Sequence, residues 1–183
     1  MSAYTITRVA LMAAVTAVAA QIAVPLPFSP VPFTLQVLAV VLSGLLLGPF
    51  RGAMSQAVYV LIGAVGAPVF AGFSGGFGSI AGPTGGYLIS YPIAAALAGL
   101  AASAMKDAAR RRRALWMGFL CGCAALATIY ALGAVWLAVV TGLPLPVAVA
   151  QGVAPFVVFD LVKVALATVV AVGAAPAIAP SRA

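Results

Sequence analysis

Apolar runs of membrane-spanning length, broken by charge at only a few points, constrain this chain more than any other feature. Its nine basic and two acidic residues gather at Arg8, Arg51, Lys106 to Arg113 and Arg182, leaving Asp160 and Lys163 alone inside an apolar run. A hydrocarbon core of roughly 30 Å is crossed by about 20 apolar residues of helix, so the chain has room for about five or six spans. With 65% of its residues hydrophobic and 6% charged, it falls outside the range of water-soluble domains. The expectation is an all-α integral membrane protein in one domain, residues 1–183.

A net charge of +7 in a soluble chain would raise nucleic acid as a partner. Here the charge sits in short connectors, where membrane orientation requires it, and nucleic-acid binding is set aside. The chain has no histidine, and Cys121 and Cys123, two apart on a helix, do not share a face. Metal and nucleophile chemistry therefore have almost no raw material. A glycine-rich loop can cradle phosphate, but no G-x-x-x-x-G-K-[ST] pattern occurs and no lysine lies near the loop. Neither an enzyme nor a cofactor is expected, and energy for active transport would come from another chain or from a gradient.

Six helices are expected, near Ile6–Val24, Thr34–Leu47, Ala53–Gly66, Gly86–Met105, Leu115–Val140 and Pro155–Gly173. The first run resembles a secretory signal, with small residues at Ala17, Ala19 and Ala20, but it is long enough to span and more spans follow. The Pro-rich connector PLPFSPVPF ends it, because proline removes a backbone donor and restricts its neighbour. Reading LGPFRG, residues 47–52, as a turn places Arg8, Arg51, Lys106, Arg110 to Arg113 and Arg182 on one side, with no charge in the opposite loops. That arrangement satisfies the positive-inside rule and puts both termini in the cytoplasm, in a multi-pass protein of the cytoplasmic (inner) membrane. Helices 2 and 3 come out short, which implies thinning of the bilayer or shielding by neighbours. The four-arginine run anchors its loop at anionic lipid headgroups.

The external segment APVFAGFSGGFGSIAGPTGGY, residues 67–87, is too rich in glycine for a helix and too apolar for a solvated linker. Unpaired amides cannot face lipid, so it must pack on protein or line a cavity. Asp160 and Lys163, at i and i+3, share one helical face, flanked there by Phe156 and Ala167. One reading is mutual neutralisation of an embedded pair; the other is that intramembrane ionisable groups mark a ligand or ion path. With its helix entering from outside, Asp160 lies roughly 8 Å in, on the side of the glycine loop. Gln56 and Tyr59, with Ser55 beside them, and Gln36 with Thr34 form further polar strips that either glue helices or face a ligand. Small residues at Ala10, Ala13, Ala14, Ala17 and Ala20, and at Ala95, Gly99 and Ser103, allow close packing within the chain or against a partner, a second copy included.

Three blocks, V-P-F-T-L-Q, the PVFAGFSGG…GPTGGY loop and D-L-V-K, closely resemble the BioY family, the biotin-specific substrate-binding S components of energy-coupling-factor vitamin transporters. The resemblance runs from about Val24 to Ala167. It implies a six-helix S-component bundle with an external pocket roofed by loops, and high-affinity biotin capture rather than chemistry. It implies as partners a transmembrane coupling protein and paired cytoplasmic ATPases, which alone bind ATP. The family's acidic and basic positions match Asp160 and Lys163, and its glycine loop matches Gly82, Thr84, Gly85, Gly86 and Tyr87. Its helix 1 docking face is similar to Ala13 and Ala17. Phe28, Phe73, Phe77, Tyr87 or Phe156 would slot the fused rings, with Gln36 as a further polar contact. Asp160 can accept from the ureido N–H groups and Lys163 can donate, to the ureido carbonyl or to the carboxylate. A stand-alone proton-coupled carrier or channel titrating Asp160 is the alternative.

Overall fold

The computed structural model describes residues 2–105 and 110–178; Lys106, Asp107 and Arg182 lie outside these. The first helix, α1 (Ala3–Gln21), begins at Ser2, whose hydroxyl accepts from the Thr5 amide. It ends where the prolines begin. The Pro-rich connector is an antiparallel hairpin, β1 (Ala23–Leu26) and β2 (Ser29–Thr34), with Ala23 opposite Thr34 and Leu26 opposite Ser29. Pro27 falls in the turn, and the three strand prolines, Pro25, Pro30 and Pro32, fit because both strands of a two-stranded ribbon are edges, where a missing N–H need not break the ladder.

Next come α2 (Gln36–Leu47) and α3 (Pro49–Ala64), separated by Gly48 at φ +86°, a backbone angle that favours glycine. The LGPFRG segment thus separates two helices, but the turn is Gly48 alone, and Pro49 to Gly52 already belong to α3. A Cβ on Gly44 would run into the Ala95 carbonyl, and one on Gly99 would strike the Gly48–Pro49 backbone. Bare glycines therefore let α2 and α3 close on α5 (Gly85–Gly99). The connection between α3 and α5 contains a 3-10 turn (Ala71–Phe73) and α4 (Phe77–Ala81). A four-residue α6 (Ala102–Met105) follows α5.

The remaining helices are α7 (Arg111–Thr141), α8 (Leu145–Gly152) and α9 (Val157–Ile178). Neither α4 nor α8 is foreseen from hydropathy, being five and eight residues within segments that read as loop. Among the described residues, three segments are long and apolar enough to cross a bilayer: Ala3–Gln21, Arg111–Thr141 and Val157–Ala174. The helices α2, α3 and α5 have 12, 16 and 15 residues, so α2 rises only about 18 Å. The core between helices is built from small side chains, with Ala39, Ala94, Ala95, Ala98 and Ala167 fully buried. Outward faces remain apolar, as at Leu11, Val18, Leu120, Val162 and Leu166, the pattern that lipid solvates.

Candidate ligand-binding site

The helix α9 turns Asp160 and Lys163 inward, where they are 4% and 5% exposed. Lys163 Nζ lies 2.6 Å from Asp160 Oδ1 and donates to the Thr34 carbonyl, also at 2.6 Å. It sits 3.7 Å from the centroid of the Phe33 ring, within reach of its negative face. From α7, Tyr130 donates to Asp160 Oδ2 at 2.7 Å. Taking an ion pair out of water is costly unless further hydrogen bonds satisfy what the pair leaves open. Here the hairpin and α7 supply them.

A second polar chain starts at the same strand end. Thr34 donates to Gln36 Oε1 at 3.0 Å, Gln36 Nε2 donates to Tyr59 Oη at 2.7 Å, and Tyr59 donates to the Val69 carbonyl at 3.1 Å. From α1, Gln21 Nε2 donates to the Val69 and Phe70 carbonyls, and its Oε1 accepts from the Phe73 amide. The glycine-rich segment is therefore stitched to α1 and α3 through its own backbone. At its far end, Trp136 of α7 donates to the Gly82 carbonyl at 3.0 Å. A Cβ on Gly85 or Gly86 would collide with Ile80 or Trp136, so these glycines let α5 start tight against α7.

Between these elements lies a cavity of about 180 Å³. Its walls are mostly apolar: Val31 and Pro32 from the hairpin, Val37, Phe70, Leu88, Ile129 and Phe156. Its polar groups are Thr34, Gln36, Ser74, Thr84, Tyr87, Tyr91, Tyr130, Asp160 and Lys163. Apolar walls with a few convergent polar groups are the usual makeup of a small-molecule site.

Seven residues singled out by sequence, Thr34, Gln36, Thr84, Tyr87, Phe156, Asp160 and Lys163, line this cavity together. Gly82, Gly85 and Gly86 stand behind it, shaping the loop and the start of α5. Phe73, 71% exposed, does not line it; nor do Phe28 and Phe77. Phe33 takes the place next to the charge, stacked on Phe156 with ring centroids 6.5 Å apart. Gln56 and Ser55 lie elsewhere, Gln56 donating to Thr16 at 3.0 Å and Ser43 at 3.1 Å as helix-to-helix glue. Ala13 is buried and Ala17 half-buried against the core, whereas Ala10, Leu11, Ala14 and Val15 face outward. Within the chain Ala13 is 5% exposed, so the outward face of α1 runs through its neighbours rather than through Ala13 itself.

Sequence reading missed Tyr91 and Tyr130. The signal was present, since Tyr91 follows Tyr87 by one helical turn, and each tyrosine puts a hydroxyl inside an apolar run.

Long apolar helices around a cavity with a charged, hydrogen-bonded floor define an integral membrane protein with an internal site of small-molecule size. The sequence pattern of the BioY family matches residues 1–180. A probable biotin transporter BioY of Pyrococcus horikoshii is 46% identical over 171 residues, covering 93% of this chain and 96% of that one. The biotin transporter BioY of Thermotoga maritima is 42% identical over 148 residues, covering 81% and 83%. A crystal structure of the S-component for biotin from an ECF-type ABC transporter superposes with a TM-score of 0.80 at 28% identity, covering 92% of this chain and 89% of that one. The chain belongs to the BioY family, whose relatives here are named as transporters and not as enzymes.

Proposed function

We propose that this chain captures biotin for uptake across the cytoplasmic membrane, as the substrate-specific subunit of an energy-coupling-factor transporter. The carrying observation is the Asp160–Lys163 pair, buried at the floor of a cavity of about 180 Å³ whose other walls are apolar. A ureido head offers two N–H donors and a carbonyl, matching a carboxylate with lone pairs to spare. The fused rings then lie between Phe156, Tyr87 and the hairpin residues Val31 and Pro32. Names and structural likeness of the relatives support the same ligand.

In this reading the chain crosses the membrane six times, α1, α2, α3, α5, α7 and α9 being the spans, with both termini cytoplasmic. It carries no cofactor. ATP is bound and hydrolysed by paired cytoplasmic subunits joined through a transmembrane coupling protein. Asp160→Asn, purified in detergent and shown to be monodisperse with an intact thermal transition, is expected to bind biotin at least about tenfold more weakly. Wild-type affinity in that variant would sink the assignment. Reconstitution with and without the coupling subunits separates this reading from a self-sufficient proton-coupled carrier, which would fill vesicles alone.

A further inference from the structure

The cavity occupies one end of the bundle, and the densest basic charge of the chain occupies the other. Residues 106–113 hold five basic side chains against the single acid Asp107, and Arg111 to Arg113 open α7 with no acidic residue in its first turn. Basic groups there meet the positive end of the helix dipole, so the arrangement works against α7 taken alone. Trp136, which reaches the glycine-rich segment, lies roughly 35 Å further along the same helix from Arg113.

Membrane orientation needs only charge on one side of the bilayer. The structure adds shape. The short α6 lies against α7, with Met105 packed where Gly118 leaves room, and a cleft of about 150 Å³ opens beside them. Ser103, Arg110 and Arg113 form its polar lining, and Ala104, Ala114 and Met117 its apolar lining. Arg111 and Arg112 do not line it; they belong to the wider basic surface around Trp116. Two guanidinium groups on one cleft repel each other, and an anion between them reverses the sign of that interaction. Each planar fork matches a phosphate group through paired hydrogen bonds.

Past the arginines the surface turns apolar. Trp116 and Leu120, one and two turns on from Arg113, are 59% and 62% exposed. Cationic, aromatic and aliphatic layers in that order follow the headgroup, interface and acyl chain of a lipid. A free phosphate would use only the first layer.

We propose that Ser103, Arg110 and Arg113 bind the phosphodiester of an anionic phospholipid whose acyl chains run along α7 past Trp116 and Leu120. The site is separate from the ligand cavity and independent of the biotin reading.

The test is quenching of tryptophan fluorescence in dodecyl maltoside micelles by phosphatidylglycerol or phosphatidylcholine carrying the same dibrominated chains. Trp116→Phe supplies the background from Trp136. In the wild type, half-maximal quenching of Trp116 is expected at a mole fraction of phosphatidylglycerol about tenfold below that of phosphatidylcholine. Two double variants then remove equal charge. Arg110→Gln with Arg113→Gln should abolish the preference, while Arg111→Gln with Arg112→Gln should reduce it by no more than about threefold. Equal losses in the two would mean diffuse attraction and overturn the site, as would a wild type that quenches alike with both lipids. Millimolar inorganic phosphate should leave the preference intact, and reversal by phosphate would replace the lipid with a free anion. If the cleft double variant lacks an intact thermal transition, Arg113→Gln alone takes its place. A loss of about threefold is then expected, and an unchanged preference would overturn the assignment.

Discussion

Lys163 of α9 and Thr34 at the end of β2 are joined by a 2.6 Å hydrogen bond from ammonium to backbone carbonyl. One side chain thereby neutralises the buried carboxylate and ties down the hairpin that walls the cavity. Lys163→Met is expected to release the strand end and strand Asp160 as an uncompensated buried charge, costing about 3–5 kcal/mol. The double variant with Asp160→Asn should recover part of that loss. Thermal unfolding in detergent reads both, and additive losses would rule out the coupling.

Tyr130 restrains the other carboxylate oxygen. Tyr130→Phe removes one hydrogen bond to a charged group, worth about 1.5–3 kcal/mol, without opening space. Biotin affinity should fall, but less than in Asp160→Asn, because the acceptor survives and only its orientation loosens. Titration of the two variants under one condition ranks them.

Gln56 makes a contrasting case. Thr16 and Ser43, its partners, keep their own bonds to the Met12 and Val40 carbonyls at 2.9 and 2.7 Å, and Gln56 Oε1 has no partner among the described residues. Replacing it with methionine strands no donor. Gln56→Met is therefore expected to stay within about 1 kcal/mol of the parent in stability and to bind biotin normally. A large loss of affinity in a stable Gln56→Met protein would return this residue to the ligand site.

Gly44 packs where α2 meets α5, with the Ala95 carbonyl and Gly99 amide against it. Gly44→Val adds bulk facing backbone that cannot move aside, and overpacking of this kind costs about 1–3 kcal/mol. A lowered melting temperature with reduced biotin capacity is expected; an unchanged melting temperature would mean the helices separate freely.

Topology is open to labelling. With Cys121 and Cys123 replaced by alanine, a single cysteine at Phe77 should react with an impermeant maleimide added to intact cells. One at Arg111 should react only after the membrane is opened. Both positions labelled from outside would refute the six-span arrangement.

Long-range grouping of the site was legible where chemistry is scarce. Two acids in 183 residues make Asp160 conspicuous, and its i, i+3 relation to Lys163 needs only helix geometry. The tyrosines escaped because an aromatic ring in an apolar run is ordinary membrane packing, and only the tertiary arrangement shows where its hydroxyl points. The hairpin escaped for the opposite reason. Its prolines argue against helix and against an interior strand, and only a two-stranded ribbon reconciles them. Ala13 shows the limit of small-residue spacing, since alanines on several faces of α1 leave the outward face undetermined until neighbours are placed.

That proline-bearing hairpin has a consequence for how the molecule behaves in company. An exposed strand normally offers a row of free amides that can recruit a strand from another molecule. Here Val24 and Phe28 are more than half exposed, an apolar invitation to such pairing. Pro25 on β1 and Pro30 and Pro32 on β2 interrupt the row of donors on both strands. The outer edge is thereby a poor template for intermolecular sheet growth, and the hairpin can wall the cavity without becoming a nucleus for aggregation at the membrane surface.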